Sequence, residues 1–277
     1  MRDDRKGDAL TALPATAEPA VKPKVRVVHH MARTGGTLIS KCLASMDGVL
    51  LLSEIHPRGI GHFNPLDQAQ GWFRLFSNED VRRIQASPLS FPQAIDLIRC
   101  RADERGQALV IRDWTHLDFT AVPFLSQRSY RLTTAEILRR EFDVVHTATV
   151  RHPIDQWLSL RRLAVMADKI ELEEFLRDYR RFAETSREIG FIRYEDFTRD
   201  PDGTLETLCQ RLELPFDPRY RERWKGYRYV TGDVGPNLPV RDIAPAARRA
   251  IEPGLLERFK ANDDYRAALE ILGYEHP

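Results

Sequence analysis

The chain has 277 residues, with 42 Lys plus Arg against 41 Asp plus Glu and a formal net charge of +1. That balance excludes a protein that grips nucleic acid through a broad basic surface. With 30% charged and 42% hydrophobic residues, the composition also excludes a chain that stays disordered throughout.

Residues 1–24 hold no apolar stretch of the kind a secretory signal requires. Their Ala, Pro, Thr and charged residues predict a disordered leader, followed by one domain over residues 25–277. The β-branched run Lys24–His30 predicts a buried strand. Met-Ala-Arg-Thr-Gly-Gly-Thr follows, and then Leu38–Met46 with helical spacing. Gly48–Glu54 predicts a second short buried strand. Residues 56–77 carry Gly, Pro, Asn and aromatic side chains without a clear period and read as a long loop. Asn78 ahead of Glu-Asp-Val-Arg-Arg-Ile-Gln predicts an N-cap and a helix start. Residues 91–104 predict another helix, with Pro92 in its first turn. Gln107–Trp114 is the third predicted strand. Thr133 and Glu136 have capping-box spacing and open a helix. Asp143–Pro153 is a fourth strand running into a loop. Helices follow at 154–166 and 171–189, the second rich in charge pairs four residues apart, and its run 173–182 reads as a solvated face. Phe191–Phe197 is a fifth short strand, and residues 201–212 a helix opened by Pro201. The stretch 227–245 is irregular, and two short helices close the chain. Strands alternating with helices predict an α/β fold, a central parallel sheet flanked by helices. Ligands in such folds bind beyond the carboxyl ends of the strands.

Cys42, Cys100 and Cys209 lie far apart, which makes neither a disulfide framework nor a paired zinc motif. A reducing, cytoplasmic setting is the expectation. No apolar run approaches the ~20 residues of a membrane span.

Two segments have the chemistry of anion sites. The first is Arg33-Thr34-Gly35-Gly36-Thr37, between a strand and a helix. Two glycines allow a tight turn and close approach of the backbone to a ligand. The helix start adds free N–H groups, and the threonines and Arg33 add hydroxyls and charge. No Gly-Lys-Ser/Thr follows, so this is not a Walker A loop; an ordinary strand–helix connection is the plain alternative. The second is Arg151 at the end of the fourth strand with Ser159 on the next helix, which can grip one phosphate from two sides. The plain alternative is an ion pair and a surface hydroxyl. Only seven of the basic residues are Lys, and none lies between Lys41 and Lys169. Anion binding in that stretch therefore falls to Arg, His, hydroxyls and backbone N–H groups.

With both segments in this order, the chain resembles the sulfotransferases that use 3′-phosphoadenosine 5′-phosphosulfate (PAPS). Ala32–Thr37 is similar to the family's P-K/R-S-G-T-T element, which binds the 5′-phosphosulfate. Arg151 and Ser159 match its R-x-x-x-x-x-x-x-S pair, which grips the 3′-phosphate. Tyr194-Glu-Asp-Phe197 and Asp200-Pro201 stand where the family has Y-E-D-hydrophobic and a D-P or H-P helix start. The agreement covers about residues 25–215 and is closest to the tyrosylprotein-type and related bacterial branches. It implies a P-loop-like sulfotransferase fold, PAPS as sulfuryl donor, PAP as product and no metal. Arg33, Thr34, Gly35, Gly36, Thr37 and Leu38 would hold the 5′ end, Arg151 and Ser159 the 3′-phosphate, with Tyr194 close to the adenine.

The same resemblance makes Glu54, 21 positions after Arg33, the base that takes the acceptor's proton. Arg112-Asp113 fits a basic residue followed by Asp at the end of the third strand, and Arg33 and Arg112 would stabilise the leaving phosphate. His116, just past that strand, is the rival base, with His56 third; an ion pair with Arg58 is the plain alternative for Glu54. The sequence departs from the family in having Ala32 for Pro and Gly36 for Thr. Thr231–Asn237 also lacks a nearby basic residue unless Arg241, Arg248 or Arg249 serves. The acceptor is open: a small molecule, carbohydrate or lipid hydroxyl, a phenol, a peptide tyrosine or an amine. Loops 56–77, 114–131 and 225–245 would shape its pocket, with Trp72, Phe73 and Trp114 either lining it or packed in the core. Two other functions remain as alternatives: a P-loop nucleotide kinase using Val-Ile-Arg-Asp113 as a Walker B strand, and a non-catalytic nucleotide-binding protein.

Overall fold

The computed structural model describes residues 21–232 and 242–277. The first 20 residues of the predicted leader, Asp233–Asn237 and Arg241 lie outside the described residues. Five strands are present: β1 (Lys24–His30), β2 (Val49–Ile55), β3 (Ala108–Asp113), β4 (Asp143–Val150) and β5 (Phe191–Arg193). They form one sheet in the order β2-β3-β1-β4-β5, and every pair is parallel. All carboxyl ends therefore lie along one edge.

The helices between them are α1 (Gly36–Ala44), α2 (Pro65–Phe73), α3 (Asn78–Ala86), α4 (Phe91–Asp103), α5 (His116–Phe119), α6 (Thr133–Leu138), α7 (Pro153–Leu160) and α8 (Leu172–Ile189). After β5 come α9 (Tyr194–Arg199), α10 (Pro201–Arg211), α11 (Tyr220–Arg223), α12 (Pro253–Ala261) and α13 (Asp263–Leu272). Side chains alternate across the sheet, so its two faces bury different sets. Val28, Leu51 and Val110 face a layer that includes Ile39 of α1, Leu205 of α10 and Tyr220 of α11. Val25, Val27, Leu50, Leu52, Leu109 and Ile111 face Ile95 and Ile98 of α4 and Ala69 of α2. A third cluster joins α7, α8 and α13 to β4. These strands are apolar on both faces, as a covered parallel sheet requires.

Several local expectations are corrected. Residues 56–77 contain a helix, α2, capped by Asn64, whose side chain accepts from the Leu66 N–H, with Pro65 at its start. Gln68 ties that helix to β2 by accepting from the Ser53 N–H at 2.8 Å and donating to its carbonyl at 2.7 Å. The cap of α3 is Ser77, not Asn78, in a capping box with Asp80. Thr133 makes no capping box: its N–H and hydroxyl both go to the buried Asp118 carboxylate, while Glu136 pairs with Arg131. A charged acceptor outcompetes a neutral cap. The helix expected at 154–166 ends at Leu160, and the fifth strand ends at Arg193, where α9 begins. The run 173–182 is only half solvated. Phe175, Leu176, Tyr179 and Phe182 are core residues, and buried Asp178 accepts from Arg128 and Tyr130. Among the described residues, no helix is long and apolar enough to cross a membrane. Cys42, Cys100 and Cys209 are all free.

Candidate active site

Each strand delivers one polar group at its carboxyl end. His30 ends β1, Glu54 lies at the end of β2, Arg112 near the end of β3, Arg151 just after β4 and Tyr194 just after β5. The turn after β1 has backbone that only its sequence explains. Arg33 has φ 70° and Gly35 φ 87°. The left-handed conformation costs Gly35 little and Arg33 more. A Cβ on Gly35 would come within 2.1 Å of the Tyr194 ring, and one on Gly36 within 2.7 Å of the His30 ring. Both glycines are thus demanded by close packing, and the turn is sandwiched between β1 and α9. Thr34 is fully buried and donates its hydroxyl to the Met31 carbonyl at 3.0 Å. The Leu38 N–H closes the first turn of α1 onto the Gly35 carbonyl.

Arg112 is the hub of one half of the site. It is 3% exposed. Its Nε donates to His30 Nε2 at 2.7 Å. One terminal nitrogen reaches Ser53 Oγ at 3.0 Å and the Thr231 carbonyl at 2.9 Å; the other reaches Thr37 Oγ1 at 3.2 Å and Glu54 Oε1 at 3.3 Å. Burial, and next the Arg112 charge, hold the His30 imidazole well below its usual range, so it is neutral and accepts. Glu54 has φ 56° at the point where the β2–β3 register shifts. This bulge re-aims its side chain along the sheet edge, as bulges beside functional sites do. Arg58, the alternative partner of Glu54, instead donates to the Gln127 carbonyl.

Arg33 leads to the other half. Its Nε donates to Ser159 Oγ at 3.0 Å, and its carbonyl accepts from Arg151 at 3.3 Å. The predicted pair Arg151 and Ser159 is therefore brought together around Arg33. The Arg151 guanidinium lies 4.9 Å from the centre of the Tyr194 ring, a cation–π contact. Its Nε is buried and has no partner. Arg249, exposed at the rim, is pulled below its usual range by partial burial, then by the positive charges of Arg151, Arg162 and Arg33. Arg248 lies elsewhere, paired with Asp155 at 3.0 Å. Gln156 of α7 holds the turn by donating to the Ala32 carbonyl at 2.8 Å.

The histidines divide into roles. His116 donates from Nε2 to the Val122 carbonyl at 2.8 Å, which leaves Nδ1 bare, buried and unpartnered. Burial drives its pKa down to about 4. His56 accepts from the Arg58 N–H on Nδ1, and its Nε2 sits 3.1 Å from Asp118 Oδ2, off the line of a hydrogen bond. His29 belongs to the underside of the sheet, bonded to Asp113 at 2.8 Å and to His146 at 3.1 Å. Asp113 also accepts from Thr115 and Thr134, each at 2.5 Å. The carboxylate that a kinase would turn to a nucleotide-bound metal is filled by three protein donors on the face opposite Arg112. Among the described residues, no group of three or more His, Cys, Asp or Glu is placed to hold a metal ion.

Sequence reasoning missed Ser53, the contacts of Thr231 with Ser53 and Arg112, His30's tie to Arg112, Gln156 and Arg162. Only His30, at a strand end, carried a local signal; the others reach the site through tertiary contacts. Trp72 and Phe73 meet Tyr229, whereas Trp114 is buried among Phe63, Phe124 and His62.

Comparison with known proteins identifies the fold and the family. Two solved structures share the fold over nearly the whole chain. A sulfotransferase domain from the curacin biosynthetic pathway is 18% identical, with a TM-score of 0.62, over 93% of this chain and 100% of that one. A sulfotransferase domain from the Synechococcus PCC 7002 olefin synthase is 19% identical, with a TM-score of 0.63, over 96% of this chain and 100% of that one. No curated protein matches the sequence. Residues 27–218, which run from β1 past the end of α10 and include both arginine groups except Arg249, match the model of the Sulfotransferase family. The chain belongs to the sulfotransferase family.

Proposed function

We propose that this chain transfers a sulfuryl group from PAPS to an acceptor hydroxyl or amine. The observation that carries the reading is the pair of cationic groups flanking one glycine turn. Arg112 with Thr37 forms the first. Arg33, Arg151, Arg162 and Arg249 with Ser159 form the second. A nucleotide anionic at both its 5′ and 3′ ends matches two such groups. The unpartnered, buried Arg151 Nε is a donor in want of an anionic oxygen. Arg249, beside Arg151, Arg162 and Arg33, is the basic residue of the C-terminal segment in this reading.

The donor supplies an activated sulfuryl group: one sulfur–oxygen bond to phosphate breaks as another forms to the acceptor. The chain's own groups do the rest. Arg112 and the N-terminus of α1 face the oxygen on which charge develops, preorganised by His30, Ser53 and Thr37. Arg112 stays charged and stabilises without giving up a proton. Glu54 is the favoured acceptor of the proton. Its side chain is 17% exposed and can be reached, whereas His116 is 2% exposed. Tyr194 is pinned on Gly35 and under Arg151, which supports a role for it in bounding the base.

The reading is tested by ligand-dependent melting and intact mass. PAP should raise the melting temperature more than AMP does, by mass action, and PAPS with a candidate acceptor should give that acceptor one added sulfuryl group. If AMP stabilises as well as PAP, the 3′-phosphate assignment is wrong, and with it the donor. The unpaired thiols support a reducing, cytoplasmic setting for the reaction.

A further inference from the structure

The seat at Arg112 is filled by the protein itself. The Thr231 carbonyl accepts from Arg112 at 2.9 Å and from Thr37 Oγ1 at 3.3 Å. The Thr231 N–H donates to Ser53 Oγ at 3.1 Å, and its hydroxyl meets the same oxygen at 2.9 Å. Gly232 then lies on Thr37. Its φ is +96°, and a Cβ there would sit 2.5 Å from Thr37 Oγ1. Glycine is required at 232 for two independent reasons, so this contact is written into the sequence. On the other side, Val230 is buried, and Tyr229 stacks on Trp72 with ring centres 6.3 Å apart. The short strap is anchored at both ends.

The groups that hold the Thr231 carbonyl are the anion donors of the site. A carbonyl oxygen is a neutral acceptor, whereas a phosphate or sulfuryl oxygen makes shorter, stronger charge-assisted bonds to the same donors. The two cannot occupy one position. We propose that Thr231–Gly232 is an internal occupant of the seat taken by an anionic oxygen at the donor's 5′ end, and that donor binding expels residues 229–232. The inference rests on the PAPS reading of the site. The free protein then holds its transition-state donors in order with its own backbone, and apparent donor affinity is set by the fraction of molecules with the strap out.

Amide hydrogen exchange and PAP titration on the full chain test this, with wild type, Tyr229→Ala and Gly232→Ala compared. Tyr229→Ala removes the far anchor without touching any anion-binding group. Gly232→Ala drives the strap off Thr37. PAP should slow exchange at residues 34–38 and speed it at 227–232, and both variants should bind PAP about five- to tenfold more tightly, because a larger share starts open. Unchanged or slowed exchange at 227–232 overturns the proposal, as does PAP affinity that fails to rise in either variant. If PAP leaves 34–38 unprotected in all three proteins, the donor reading fails instead. Inorganic pyrophosphate then becomes the probe: the strap proposal stands if the variants bind it more tightly than wild type and falls if they do not.

Discussion

Glu54 and Arg112 meet at 3.3 Å across the point where β2 breaks register with β3. The guanidinium that holds this carboxylate also reaches Thr37 at the start of α1. The proposed base and the proposed anion seat are therefore positioned by one side chain, and disturbing Arg112 disturbs both.

Glu54→Gln keeps the shape of the side chain and removes the proton acceptor. Turnover should fall by about 10²–10⁴, while PAP affinity moves little. His116→Asn should stay within about tenfold of wild type, because that imidazole is sealed behind Val122. Steady-state kinetics of the two variants in one assay decide between them; equal losses would remove both from the role.

Arg112→Lys retains a charge but loses the planar fork that reaches five side chains or carbonyls. A fall of about 10²–10³ in turnover is expected, the usual effect of removing one preorganised donor. Single-turnover measurement at saturating PAPS checks it. Activity within threefold of wild type would show that charge alone suffices there.

Arg249→Ala should weaken PAP about tenfold or more, as loss of a charge-assisted contact does, yet leave AMP binding unchanged. Calorimetric titration with both nucleotides separates the cases. An equal loss for PAP and AMP would place Arg249 away from the 3′-phosphate.

Gly35→Ala meets the Tyr194 ring and a left-handed φ together. The strained backbone alone should cost about 1–3 kcal/mol. Adding Tyr194→Ala should recover part of the loss, with a coupling of about 0.5–3 kcal/mol in the double-mutant cycle. Strict additivity in denaturant titrations would mean that the ring and the turn do not touch.

Acid stability follows from the buried neutral imidazoles. Burial above all holds His30 and His116 below 6.5, His116 to about 4. In the unfolded chain both take up protons as the pH drops below 6.5, while the folded chain refuses them. Stability is therefore full above pH 6.5 and declines towards pH 4, by about 1.4 kcal/mol per pH unit for each group. Denaturant midpoints between pH 7 and pH 4.5 measure the slope, and His116→Asn should make it shallower. A slope that His116→Asn leaves unchanged contradicts the assignment.

How far the sequence carried the structure can be traced residue by residue. The strands were readable because Lys24–His30, Gln107–Trp114 and Asp143–Pro153 hold apolar, β-branched residues, and the carboxyl-terminal halves of their strands are buried. The proposed anion-binding arginines were readable because Arg33 follows the first of these runs and Arg112 and Arg151 lie near the ends of the other two. Helix α2 was not, since Gly71 weakens its local signal and its hold on the sheet comes from Gln68 bonded to Ser53. Nor was the contact of Thr231 with Ser53, made 178 positions apart. Among Arg241, Arg248 and Arg249 nothing local distinguishes one from another. Asp155 settles it for Arg248, and only the folded chain brings Asp155 there.

The neighbours Arg112 and Asp113 point to opposite faces of β3, one to the proposed anion seat and the other to His29, Thr115 and Thr134. Two consecutive codons thus answer to different kinds of selection. In a library scored for both catalysis and protein abundance, substitutions at position 112 should leave abundant, inactive enzyme. Substitutions at 113 should deplete the protein itself, so a screen for activity alone would give the two positions the same score for unrelated reasons.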